Sequence, residues 1–211
     1  MIHGEMASFV LLGATLGLSA GISPGPLLTL VISESLQHGR KEGIKVALSP
    51  LITDLPIILI SLILLAGLGK SSAAIGLIAF AGALFLVFLG WECLRTKGLA
   101  AVAEKVQPRS IKKGVVANLL NPHPYLFWIT VGAPTIVKAR QDGIVTLGLF
   151  FIVFYLFLTG SKILIAHLAA RSRSYLTGKA YVRIMKVLGI TLFLFAAFFI
   201  YDGIRLLAGN G

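Results

Sequence analysis

The 211 residues are 57% hydrophobic and only 13% charged, with a mean hydropathy of +0.93. A soluble domain carries about 25% charged residues, so this composition excludes one and describes an integral membrane protein. The formal charge of +11 sits in short loops between apolar runs, where bases orient a chain in the bilayer; a nucleic-acid partner is not expected.

Met1 to Ser8 contain no Lys or Arg, and a signal peptide needs a basic segment ahead of its apolar core. The first apolar run is therefore expected to stay as a span. With about 20 apolar residues needed to cross the hydrocarbon core, the sequence predicts six transmembrane helices, at roughly 9–33, 46–68, 74–92, 114–137, 144–170 and 185–206. Little remains for a soluble domain.

Span one carries glycine at 13, 17, 21 and 25, a small-xxx-small face that lets another backbone approach closely. Ordinary helix packing explains it, and it is also a candidate for the meeting place of the two broken helices described next. Ser23-Pro24-Gly25-Pro26 interrupts span one, and Asn121-Pro122-His123-Pro124 interrupts span four. Proline removes a backbone donor and clashes with the preceding turn, so paired prolines leave peptide groups unsatisfied where no water can serve them. Such a defect is tolerable where it lines a cavity, and recurrence in both halves predicts a transport site at the breaks. There the half-helix ends supply partial charges, N-termini for carboxylate and C-termini for cations, and an amino acid carries both groups. Ser23, Asn121 and His123 add side-chain donors and acceptors. All eight residues of the two motifs are candidate substrate ligands.

Asp54 lies in span two between Pro50 and Pro56. A carboxylate at that depth is costly and faces a partner or a water-filled path. Lys162 lies at comparable depth in span five. The two are expected to face one another or share a polar cavity, with Asp54 able to accept a proton; a static ion pair is the plainer alternative. His123 is a candidate proton relay or a hydrogen-bonded structural imidazole. Glu34 is expected to be solvated at the headgroups rather than to act as a gate, His167 to be interfacial, and His3 and His38 to be exposed. Glu92 with Arg95 and Asp202 with Arg205 are spaced to pair locally. Trp91, Trp128, Tyr181 and Tyr201 are candidate interfacial anchors.

Seven of the eight prolines fall inside the spans and only Pro108 in a loop, so these helices are expected to bend or break where neighbours absorb it. Lys and Arg number 3 between spans one and two, 6 between three and four, and 5 between five and six, counting Lys186 at the head of span six, against 4 on the other side. The asymmetry predicts loops 34–45, 93–113 and 171–184 in the cytoplasm and both termini outside, in a plasma membrane. Arg40-Lys41-Glu42-Gly43-Ile44 is echoed 100 positions later by Arg140-Gln141-Asp142-Gly143-Ile144, and Trp91-Glu92-Cys93-Leu94-Arg95 by Tyr201-Asp202-Gly203-Ile204-Arg205. Ordered echoes point to duplication. Because three spans is an odd number, residues 114–211 would enter the membrane inverted relative to 1–113, giving two inverted-topology three-helix repeats.

On Ser23-Pro24-Gly25-Pro26, Asp54, Leu120-Asn121-Pro122, length and span count, the chain resembles the LysE/RhtB family of amino-acid exporters, over essentially its whole length. The resemblance implies proton- or ion-driven efflux of amino acids or similar small metabolites, with no cofactor and no enzymatic activity. Exporters of lysine and arginine in that family look like Asn-Pro-His-x-Tyr-Leu-Asp at the second motif. Here Asn121, Pro122, His123, Tyr125 and Leu126 fit, and Phe127 replaces the acid. A neutral substrate is thereby favoured over a cationic one. A homo-oligomer stays open.

Rival classes are thinly supported. A divalent-metal exporter needs clustered ligands, and only Asp54, His123 and Glu34 qualify. The single Cys93 excludes a thiol-disulfide reductase and any internal disulfide. A membrane hydrolase would need Ser23 and His123 to touch.

Overall fold

The structure, a computed structural model, describes residues 2–65, 72–95, 108–172 and 178–208. Lys70, Gly211 and parts of the 93–113 and 171–184 loops lie outside the described residues, as do the side chains of His3 and Tyr181. Among the described residues every regular element is a helix: α1 (Ile2–Ile22), α2 (Pro26–His38), α3 (Arg40–Ala47), α4 (Ser49–Leu65), α5 (Ser72–Leu94), α6 (Ser110–Leu119), α7 (Pro122–Phe127), a π-helical turn (Trp128–Gly132), α8 (Ala133–Asp142), α9 (Ile144–Ser172) and α10 (Gly178–Leu207).

Length and composition qualify Arg40–Ile63, Ile144–Ser172 and Val182–Leu207 as membrane spans, and Met6–Ile22 with Pro26–His38 qualifies as a fourth if that bent pair is one broken span. The bend is 61°. It falls at Ser23 to Gly25, where Pro24 lacks the amide that would continue α1 and Pro26 supplies a fixed φ for the first turn of α2. The apolar stretch of α5 runs over Ala79–Leu94. The expected fourth span is not one helix. It is divided at Leu120 and Asn121, where Pro122 and Pro124 withdraw two amides, and again by the π-helical turn. Pro56, by contrast, sits inside α4 without ending it.

Outward-facing leucines such as Leu11 (67% exposed), Leu84 (76%) and Leu194 (67%) belong on a surface solvated by lipid. Inside, α1 lies along α9, α5 along α10, and α4 against α6, α7 and the π-helical turn. Glycines set the two long contacts. A Cβ on Gly13, Gly17 or Gly21 would strike the backbone of α9 at Phe150, Phe154 and Leu158, and the carbonyls of Gly90 and Gly189 lie against each other's α-carbons across α5 and α10. The glycine face of span one therefore meets α9, not the other broken helix, and Gly25 faces open space.

The sequence echo at 40–44 and 140–144 does not hold residue by residue. Arg40, Lys41 and Glu42 open α3, whereas Arg140 to Asp142 close α8. Positive φ instead occurs at Gly39 (φ 91°), which caps the C-terminus of α2, and at Gly143 (φ 154°), which caps that of α8. Both conformations are ones an L side chain rarely adopts; Gly43 is an ordinary helical residue packed against Ser35.

Candidate functional site

The two proline breaks open into one cavity of about 500 Å³, within the usual range for small-molecule sites. Ser23, Pro24, Gly25 and Pro26 line it from the first break, and Asn121, His123 and Pro124 from the second. Pro122 is buried behind that lining. Asp54 and Lys162 line the same cavity and are 5% and 3% exposed. The two charges do not pair directly. Asp54 accepts from Asn118 Nδ2 at 3.0 Å and from the Tyr155 hydroxyl at 3.2 Å. Lys162 Nζ donates to the carbonyls of Ala20 (3.0 Å) and Gly21 (2.8 Å).

Each break satisfies its freed carbonyls differently. At the second, Asn121 caps α7 by accepting the His123 amide at 3.0 Å, which leaves the Leu119 carbonyl to the Tyr125 hydroxyl, also at 3.0 Å. Neutral groups suffice there. At the first break the donor is a cation, Lys162.

The cavity lining also includes an aromatic wall. Phe127, Trp128 and Phe154 line the cavity. Phe127 stacks on Phe154 at 5.8 Å between ring centres, and Trp128 meets Phe154 edge-on at 5.5 Å. Trp128 is 1% exposed, so it is a core residue and not the interfacial anchor that sequence reading expects. The π-helical turn explains how it fits: Trp128 packs directly over Gly132, where any Cβ would collide with its ring. Trp91 and Tyr201 do face outward, at 52% and 62% exposed. The ring of His123 is exposed and stacks on Phe198 at 5.7 Å.

A second polar cluster links α2, α5 and α6. Glu34, expected to be solvated, is 1% exposed. It accepts from Ser110 Oγ at 2.5 Å and Lys113 Nζ at 2.9 Å, with His38 Nε2 at 4.0 Å. His38 is half-buried beside it rather than exposed. Lys113 also reaches Glu92 at 2.7 Å. Burial works against the Lys113 ammonium, but the two carboxylates outweigh it and hold its pKa above the ordinary lysine value. Glu92 thus bonds to α6, while Arg95 stacks on Trp91 at 4.7 Å. His167 Nδ1 lies 3.4 Å from Arg40.

A family model for LysE type translocators matches residues 18–203. The chain belongs to that family. Membership makes it a membrane exporter of small molecules. This LysE-type translocator is also 27% identical over 194 residues to the uncharacterized membrane protein YahN of Escherichia coli K12, covering 86% of this chain and 84% of YahN. No solved structure matches. Within the translocator, sequence reasoning missed Asn118, Tyr155, Ser110 and Lys113. Asn118 had a signal: an amide in an apolar run, one turn ahead of Asn121, has to find a buried partner. Tyr155 had none, because nothing along the chain distinguishes its hydroxyl from the aromatic run around it.

Proposed function

We propose that this translocator is a secondary transporter that exports neutral amino acids or similar small metabolites from the cytoplasm, driven by protons or ions through Asp54. The observation that carries this reading is the convergence of both helix breaks, Asp54 and Lys162 on one cavity with an aromatic wall. A zwitterion requires opposed charges, and Asp54 and Lys162 provide them in a single compartment. Phe127 occupies the position at which cation exporters of the resembled kind carry an acid, and its ring packs into the aromatic wall. A basic side chain would find no counter-charge there.

The repeat reading assigns 1–113 and 114–211 as inverted halves of six spans, with both termini outside. Helix pairing supports it. A two-fold exchange of spans one, two and three with four, five and six converts the α1–α9 contact into the contact of α4 with the second broken unit, and returns α5–α10 to itself; all these pairings occur. The metal-exporter alternative draws less support, since among the described residues no group of three His, Cys, Asp or Glu side chains is placed to hold a metal ion.

Counterflow in proteoliposomes tests the function: vesicles loaded with an unlabelled neutral amino acid should accumulate the labelled one from outside. Exchange of lysine or a divalent cation, with none of any neutral amino acid, would overturn the reading.

A further inference from the structure

The last regular bond of α1 runs from the Ser23 amide to the Ser19 carbonyl at 3.0 Å. The next two carbonyls, of Ala20 and Gly21, would be served in an unbroken helix by the amides of residues 24 and 25. Pro24 has no amide, and Gly25 has left the helix in an extended conformation (φ −175°, ψ 175°). Pro26 frees the Ile22 carbonyl as well; the adjacent pair at Ala20 and Gly21 stands at the negative end of a half-helix, and such ends attract cations. In transporters with broken helices, unwound carbonyls of this kind are where a coupling sodium or proton is held. Here Lys162 reaches across from α9 and occupies both, at 3.0 and 2.8 Å. It is itself 3% exposed and is not spent on an ion pair with Asp54. Close contact of α1 with α9 brings it there, because Gly21 lies against Leu158, one turn before Lys162, and against Ser161, its chain neighbour.

We propose that Lys162 is a tethered cation that permanently fills the monovalent-cation position at the end of α1, so that the transport cycle takes up no sodium. The inference rests on the transporter reading and narrows its coupling ion. A neutral tyrosine hydroxyl serves the corresponding carbonyl at the second break. The requirement for charge is therefore particular to the first, whose axis runs unbroken from Ile2 to Ile22 and ends there.

Thermal unfolding of the purified protein tests this independently of transport. Wild type should show the same Tm in sodium chloride and in choline chloride. Lys162→Ala should unfold several degrees lower in choline, and sodium or ethylammonium, small enough to enter the vacated position, should restore at least half of the loss in a saturable way. Three results would each overturn the proposal: a wild-type Tm that rises specifically with sodium, a Lys162→Ala protein that no small cation rescues, or a Lys162→Gln protein as stable as wild type. The last would show that a neutral donor is sufficient. Absence of counterflow for every amino acid, with the Tm results as expected, would sink the exporter reading and leave the cation position standing.

Discussion

The Tyr155 hydroxyl donates to Asp54 Oδ2 at 3.2 Å, joining α9 to α4 across 101 positions of sequence. The bond makes the carboxylate a shared element of both halves of the chain. A carboxylate in the membrane interior can alternate between charged and neutral states as water access changes, whereas an amide is fixed. Asp54→Asn should insert and fold, bind substrate, and fail to accumulate it against a gradient in proteoliposomes. Near wild-type uphill transport by that variant would reduce Asp54 to a packing role. Tyr155→Phe should be milder: hydrogen bonds inside membranes average about 0.6 kcal/mol, roughly a threefold change in an equilibrium constant.

Phe127 decides substrate charge on the reading proposed above. Phe127→Asp should raise exchange of lysine or arginine relative to leucine, measured by competition in counterflow. Unchanged selectivity would mean that the aromatic wall does not face the substrate side chain.

Lys113 holds two carboxylates, and the half-buried ammonium is an ionic partner of the fully buried Glu34. Removing one partner of a buried pair leaves an uncompensated charge, at a cost of about 3–5 kcal/mol, while replacing both is close to neutral. Lys113→Met should therefore lower stability strongly, and Lys113→Met with Glu34→Gln should recover most of the loss in thermal unfolding. Equal Tm values for the single and double variants would show that Glu34 does not depend on Lys113.

Gly17 tolerates no side chain, because a Cβ there runs into the Phe154 carbonyl. Gly17→Val should separate α1 from α9 and cost about 1–3 kcal/mol as overpacking. Gly25→Ala, at a position with nothing within 4 Å of the added carbon, should leave the Tm unchanged. The pair of unfolding curves checks both halves of the expectation.

Topology follows from the excess of Lys and Arg on alternate loops. Single cysteines introduced into a Cys93→Ser background should react with an impermeant reagent from outside at Lys70 and Gly211 and only after permeabilisation at Pro108. External labelling at Pro108 would invert the assignment.

By itself the sequence determined that the chain lives in a bilayer, that two of its apolar runs break at the paired prolines, and that Asp54 and Lys162 are buried in it. These follow from local chemistry: apolar length, absent proline amides, and the cost of a charge away from water. The sequence could not say what each freed group would meet. Glu34 reads as a headgroup residue because it ends an apolar run, and only the approach of α6, bringing Ser110 and Lys113, makes its burial affordable. Asp54 and Lys162 read as partners because their depths match, yet each is satisfied by other groups: Asn118 and Tyr155 for one, the carbonyls left by Pro24 for the other. The glycines of span one announce a close contact without naming α9. Partner choice depends on how helices cross in three dimensions, and no local spacing encodes it.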